Sequence, residues 1–199
     1  MERRLDTFVS APSTSSQYYL RQMNTPTPDS RWKVISMSQE RLQSLASWLK
    51  ERRDIAEHSV IFHFENAGDL VEYSWFHYPF ASMAFFHAVL GVERCLRVIY
   101  GDEGTPFQQL FRKAVSDRVV VDNDLSNVPP TPQAGWKWKD EPLPSYSALH
   151  SRRIPSLRNG VAHGIPMMTE ELLPITQACR EIADALWKSR AKGPTDREP

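Results

Sequence analysis

Apolar residues recur at steps of three and four in stretch after stretch of this chain. That spacing constrains its fold more than any other feature, because it puts the residues on one face of an α-helix. The clearest case runs from about Pro79 to Tyr100. There Phe80, Met83, Ala84, Phe86/His87, Leu90, Cys95, Leu96 and Ile99 make a broad apolar face. Pro79 suits a first helical turn, and Gly101 suits the end. Leu42, Leu45, Ala46 and Leu49 predict a helix from about Met37 to His58, with Ser36 and Gln39 at capping-box spacing. Thr105-Pro106-Phe107-Gln108 repeats that start signal and predicts a helix to about Val119. A further helix is expected from about Pro144 to His163, its inner face traced by Tyr146, Leu149, Arg153/Ile154, Leu157 and Val161. Pro155 should kink or split it. The last runs from about Thr169 to Lys188, with Leu172, Ile175, Cys179, Ile182 and Leu186 as its stripe, and Pro174 moves its start toward Leu173. The fold class expected is mainly α, a bundle of four to five helices.

Two internal segments escape this pattern. In residues 59–78, Val60, Phe62 and Phe64 alternate, as do Val71, Tyr73 and Trp75, with Glu65-Asn66-Ala67-Gly68-Asp69 between them. This fits a small hairpin over 59–76, and a helical continuation fits as well. Residues 122–142 are expected to form a long loop holding Pro129, Pro130, Pro132 and Pro142 and carrying Trp136 and Trp138. Such a loop is either functional or a surface excursion pinned by its tryptophans. Residues 1–35, with a Ser/Thr/Pro-rich run at 11–16, read as a disordered or extended arm, and 189–199 as a disordered tail. Residues 36–188 are then the helical domain.

Composition narrows the functions. A chain of 199 residues fits one domain with a real core. Its 24 Lys+Arg balance 24 Asp+Glu, which excludes a polybasic nucleic-acid coat and an acidic solubilising protein. No stretch reaches the roughly 18 apolar residues of a membrane helix. No secretory signal is visible behind Arg3 and Arg4. Cys95 and Cys179 share no metal-ligand spacing and both sit at apolar helical positions. They are expected to be small core residues in a reducing, cytoplasmic setting, with a buried disulfide as the alternative. The histidines lack metal spacing too, so neither a metal nor another cofactor is expected.

One segment stands out for chemistry, Leu157-Arg158-Asn159-Gly160-Val161-Ala162-His163-Gly164. His is the side chain suited to proton transfer near neutral pH. Arg is a fixed cation whose planar fork matches phosphate oxygens. Asn159, four residues before His163, shares its face and can orient the ring. Arg158 and His163 lie about 140° apart around a regular helix. They can meet only if Arg158 curls back or if two copies face each other. His with Arg suits attack of an RNA 2′-hydroxyl on its own adjacent phosphate, with Arg stabilising the charge on the phosphoryl oxygens. No acid stands between Glu141 and Glu170, where His150, Arg152 and Arg153 join the motif. They are candidate RNA-binding residues, or simply a solvated basic face.

Arg158-Asn159 with His163, on the penultimate helix of a helical chain, resembles the HEPN motif. The apolar helix from Phe85 to Tyr100 with Glu93 inside it is similar to the acidic helix of that superfamily. The resemblance covers about residues 80–190. It implies a dimeric α-helical bundle with the motif lining a cleft between subunits. It also implies a metal-independent endoribonuclease, with His163 as acid/base, Arg158 as phosphate clamp, Asn159 as orienter and Glu93 in support. Its setting would be toxin–antitoxin or anti-phage defence, with an antitoxin or defence-system protein as a partner. Other members bind RNA or nucleotides without cleaving. Two alternatives therefore stand beside the enzyme. One is such a binding module. The other is a protein-interaction bundle docking a partner through Trp136 and Trp138.

Overall fold

The computed structural model describes residues 27–34, 36–51, 55–128, 136–139, 141–163 and 172–191. In chain order these form a helical turn α1 (Arg31–Val34) and helices α2 (Gln39–Lys50), α3 (His58–Ser74), α4 (Phe80–Tyr100) and α5 (Phe107–Ser116). A 3-10 turn at Asp122–Asp124, strands β1 (Trp136–Trp138) and β2 (Glu141–Leu143), and helices α6 (Tyr146–Ala162) and α7 (Leu172–Ala191) follow. The chain is a mainly helical bundle, as the apolar repeats predict. Among the described residues no helix is long and apolar enough to cross a membrane.

The helix with the strongest repeat is the central one. Ala84, Phe85, Ala88, Val89, Val92, Cys95 and Leu96 of α4 are buried, and α3, α5, α6 and α7 all pack against it. Helix α2 in turn packs on α3. Two glycines set these approaches. A Cβ on Gly91 would lie 2.7 Å from the ring of Phe64, and one on Gly68 would lie 2.8 Å from the Ala46 carbonyl oxygen. Gly101 ends α4 with φ +62, a left-handed conformation that glycine adopts without strain.

The ambiguous segment is helical. Val60, Phe64, Ala67 and Val71 are buried at steps of four, three and four, and Phe62 points outward. The alternation that suggested a hairpin over 59–76 is therefore a coincidence of one exposed Phe between two buried residues. A hairpin does occur inside the expected 122–142 loop, where β1 and β2 pair antiparallel with Trp136 opposite Leu143 and Trp138 opposite Glu141.

Several boundaries move. Helix α2 stops at Lys50 instead of continuing to His58, and Ser38, not Ser36, caps it by accepting the Arg41 N–H at 3.3 Å. Thr105 does not cap α5. It donates its own N–H to Asp102, and Pro106 takes the capping position. Pro155 sits inside α6, buried beside Ile154, without ending it. Part of the expected arm is core. Trp32 is buried, donates its indole N–H to the Ser74 carbonyl at 2.5 Å, and packs its ring 4.6 Å from that of Tyr78. Residues 1–26 and 192–199 of the expected arm and tail lie outside the described residues, whereas α7 continues through residues 189–191.

One polar group in the core locks two ends together. Arg180 of α7 pairs with Asp184 at 3.0 Å and donates to the carbonyls of Leu49 and Glu51 at 2.8 and 2.7 Å. It thereby satisfies carbonyls that the end of α2 leaves without helical partners.

Candidate functional site: a cationic cleft on the penultimate helix

Helix α6 carries the Arg-Asn-x3-His motif, and its start is fixed twice over. Ser145 accepts the Ala148 N–H at 3.1 Å, and the Asp122 carboxylate accepts those of Tyr146 and Ser147 at 3.0 and 2.8 Å. Burial works to raise the Asp122 pKa, but those two amides, together with the Ser147 hydroxyl and His150, outweigh it and leave the carboxyl more acidic than usual. At the other end the His163 N–H reaches the Asn159 carbonyl at 3.0 Å. The Gly164 and Pro166 stop signal lies outside the described residues.

Between the second half of α4, the start of α5 and the second half of α6 lies a cleft of about 570 Å³. Glu93, Arg97, Phe107, Gln108, Lys139, Arg152, Arg158 and Asn159 are among its lining residues. Four cations therefore face one carboxylate among the described residues, a local excess that the neutral chain total conceals.

Glu93 organises this cleft. One of its oxygens accepts from Arg97 Nη2 at 2.6 Å, and the other from Arg158 Nη2 at 3.3 Å. Arg97 is otherwise committed to structure, donating to the backbone carbonyls of Asp102, Glu103 and Thr105 beyond the end of α4. Arg158 is held more lightly. Its Nη1 donates to Asn159 Oδ1 at 3.2 Å, and its Nε–H is buried with no partner among the described residues. An arginine has five N–H donors in a fixed plane, so two at the terminal nitrogens are left for an anion in the cleft.

The structure thus brings Glu93, Arg152, Arg158 and Asn159 together. It does not bring in His163, which is exposed at the end of α6 and does not line the cleft. Arg158 lies within α6 and His163 caps its end, so on helical geometry they stand about 140° apart around the axis and roughly 7.5 Å apart along it. His150 is a correction to the basic footprint. It is 1% exposed, set edge-on against Tyr146 at 4.4 Å, and cannot meet a phosphate at the surface. The heptad-like position that carries Ile154 into the core carries His150 there too, four residues earlier. Arg153 is half-buried, lies close enough to act on Tyr146 and His150, and does not line the cleft.

Two cleft cations escaped the sequence. Arg97 follows Glu93 by one helical turn, and that acid–base spacing in an apolar helix was the available signal. Lys139, at the turn of the β1–β2 hairpin with φ +47, gave none, because its loop showed no pairing pattern. The side chains of Trp136 and Trp138, the proposed docking residues, lie outside those described. Among the described residues no three His, Cys, Asp or Glu side chains gather as a metal site.

A helical bundle with a cationic, Arg/Asn-lined cleft on its penultimate helix is the class that fold and site define. The chain matches no protein-family model, no curated protein and no solved structure.

Proposed function

We propose that the cleft holds a phosphodiester of RNA, and that the chain is a HEPN-like, metal-independent endoribonuclease acting as a homodimer. The carrying observation is Arg158. It sits in a cleft of excess positive charge, lightly tied to Glu93 and Asn159, with part of its guanidinium fork open to an anion's oxygens. In the reaction the RNA 2′-oxygen bonds to the adjacent phosphorus and the bond from phosphorus to the 5′-oxygen breaks. The 2′-hydroxyl proton goes to a His163 imidazole, and the leaving 5′-oxygen receives a proton from an imidazolium. Products are a 2′,3′-cyclic phosphate and a 5′-hydroxyl. Arg158 stabilises the charge on the non-bridging oxygens, Asn159 orients, and Glu93 positions Arg158. His163 stands at the helix end, so a second copy that presents its own His163 to the cleft supplies the imidazole that takes the 2′-hydroxyl proton and, once protonated, gives it to the leaving 5′-oxygen. A cytoplasmic toxin–antitoxin or anti-phage role, with an antitoxin or defence protein as partner, is the setting the HEPN resemblance implies.

RNA incubated with the protein in excess EDTA tests this. Cyclic-phosphate ends are expected, with the rate reduced at least about 100-fold in both Arg158→Ala and His163→Ala. Cleavage unchanged in His163→Ala would sink the catalytic assignment. The position of His163 outside the cleft lining favours one second reading, an RNA-binding module without catalysis. Binding without cleavage, lost in Arg158→Ala, would select it.

A further inference from the structure

A second groove, of about 750 Å³, lies nearer the start of α6, between its N-terminal half, the C-terminal half of α5 and residues 118–122. Arg112, Arg118 and Arg152 line it, and Arg152 also lines the first cleft. The two cavities therefore share one cationic wall.

We propose that this groove is a second RNA subsite, seating the phosphates of the single strand that flanks the one held at Arg158. The inference rests on the reading of the first cleft as an RNA site. Charge complementarity carries it first. The carboxylate among the described lining residues is Asp122, and both its oxygens are occupied by the amides that start α6. Its charge is turned inward against a helix N-terminus, which offsets it. Arg112 and Arg118 are exposed and make no side-chain hydrogen bond or ion pair with any described residue. Exposed Val121 at the groove gives an apolar surface for base faces.

Backbone conformation is the second, independent observation. Three non-glycine described residues have positive φ, namely Ser36, Arg118 and Lys139. The two cations among them line the two cavities, Arg118 the groove and Lys139 the cleft. Arg118, at φ +55, follows α5 where helices commonly place glycine. The left-handed conformation is unfavourable for any side chain with a Cβ. A long cation held there at a cost to stability is the pattern expected where the charge has a use.

The test is length dependence. Affinity is measured for 2′-O-methyl oligouridylates, which have no free 2′-hydroxyl and cannot be cleaved by it, from dinucleotide to dodecanucleotide. The proteins are wild type, Arg158→Ala and the double variant Arg112→Ala/Arg118→Gly. Wild-type affinity should rise with length. The double variant should keep dinucleotide binding but lose about tenfold on the dodecanucleotide. Its slope of log affinity against log salt should flatten by about 1.4, as for two phosphate contacts on a single strand. Its melting temperature should not fall, because glycine relieves position 118. A structural role would instead lower stability and all binding together. A double variant that binds the dodecanucleotide like wild type overturns the subsite. So does wild-type affinity independent of length, and the first cleft then stands alone. Octaglutamate binding that the double variant loses, with RNA binding intact, overturns it in favour of an acidic peptide. No wild-type binding at any length brings down the RNA reading of the first cleft itself, and the subsite with it.

Discussion

Neither ring nitrogen of His150 meets a hydrogen-bond partner among the described residues, and the side chain is buried. Burial pushes its pKa down, Arg153 pushes the same way, Asp122 opposes them, and the result is about 4. Unfolded, the same imidazole titrates near 6.5. Above that pH both states are neutral and His150 adds no pH dependence. As pH falls from about 6.5 to about 4 the unfolded chain takes up a proton that the folded chain refuses, so stability is lost across that window. Below about 4 the loss levels off, at up to about 3 kcal/mol. Denaturant titrations at several pH values should show this slope, and His150→Leu should flatten it while leaving neutral-pH stability unchanged or higher. A slope that survives in His150→Leu would assign the acid sensitivity elsewhere. Burial also shifts His63 and His87 downward, so some slope belongs to them. The same residue marks a limit of reading charge from sequence. His150 and Arg158 both stand in one acid-free run, but composition records only charge, whereas the turn of the helix decides which of the two reaches solvent.

At the scale of elements, α4 was legible almost to the residue, because a six-turn repeat lies between Pro79 and Gly101 and nothing competes with it. Helix α3 was not, because an exposed Phe62 between Val60 and Phe64 satisfies the strand period as well as the helical one. What settles α3 is its partner. The ring of Phe64 lies against Gly91 of α4, a contact between residues distant in sequence that no local window contains. Gly91→Ala should therefore destabilise. Alanine favours a helix by about 1 kcal/mol over glycine, but its Cβ would meet a buried ring at 2.7 Å. Overpacking of about 1–3 kcal/mol should outweigh that gain and lower the melting temperature. A rise instead would mean that the α3–α4 contact yields freely.

Across the whole molecule, Arg180 joins α7 to the end of α2, two elements at opposite ends of the described chain. It lies in the apolar stripe beside Cys179 and Ile182, so periodicity alone hides it. Its spacing of four from Asp184 was the one local clue. Arg180→Met breaks the buried pair with Asp184 and both carbonyl contacts and should cost about 3–5 kcal/mol, read as a lower urea midpoint. Adding Asp184→Leu should recover part of that loss, leaving the share due to the carbonyls of Leu49 and Glu51. If the double variant is no better than the single, the ion pair is not what Arg180 contributes. That Arg158 and Asn159 line one cleft follows from their being neighbours on one helix, and Arg and Asn are types that suit an anion. The placement of His163 was not legible, because the residues meant to face it belong to a tertiary arrangement, or to a second copy, that one chain's sequence does not encode locally.

The free cysteines, Cys95 on α4 and Cys179 on α7, are both fully buried, and burial raises both thiols, Cys95 to about 12. An alkylating reagent needs thiolate and access, and the folded chain supplies neither. Each sulfur is thus a native stopwatch for the packed layer it sits in. The rate at which either is capped counts how often α4 and α7 come apart, without a single engineered label.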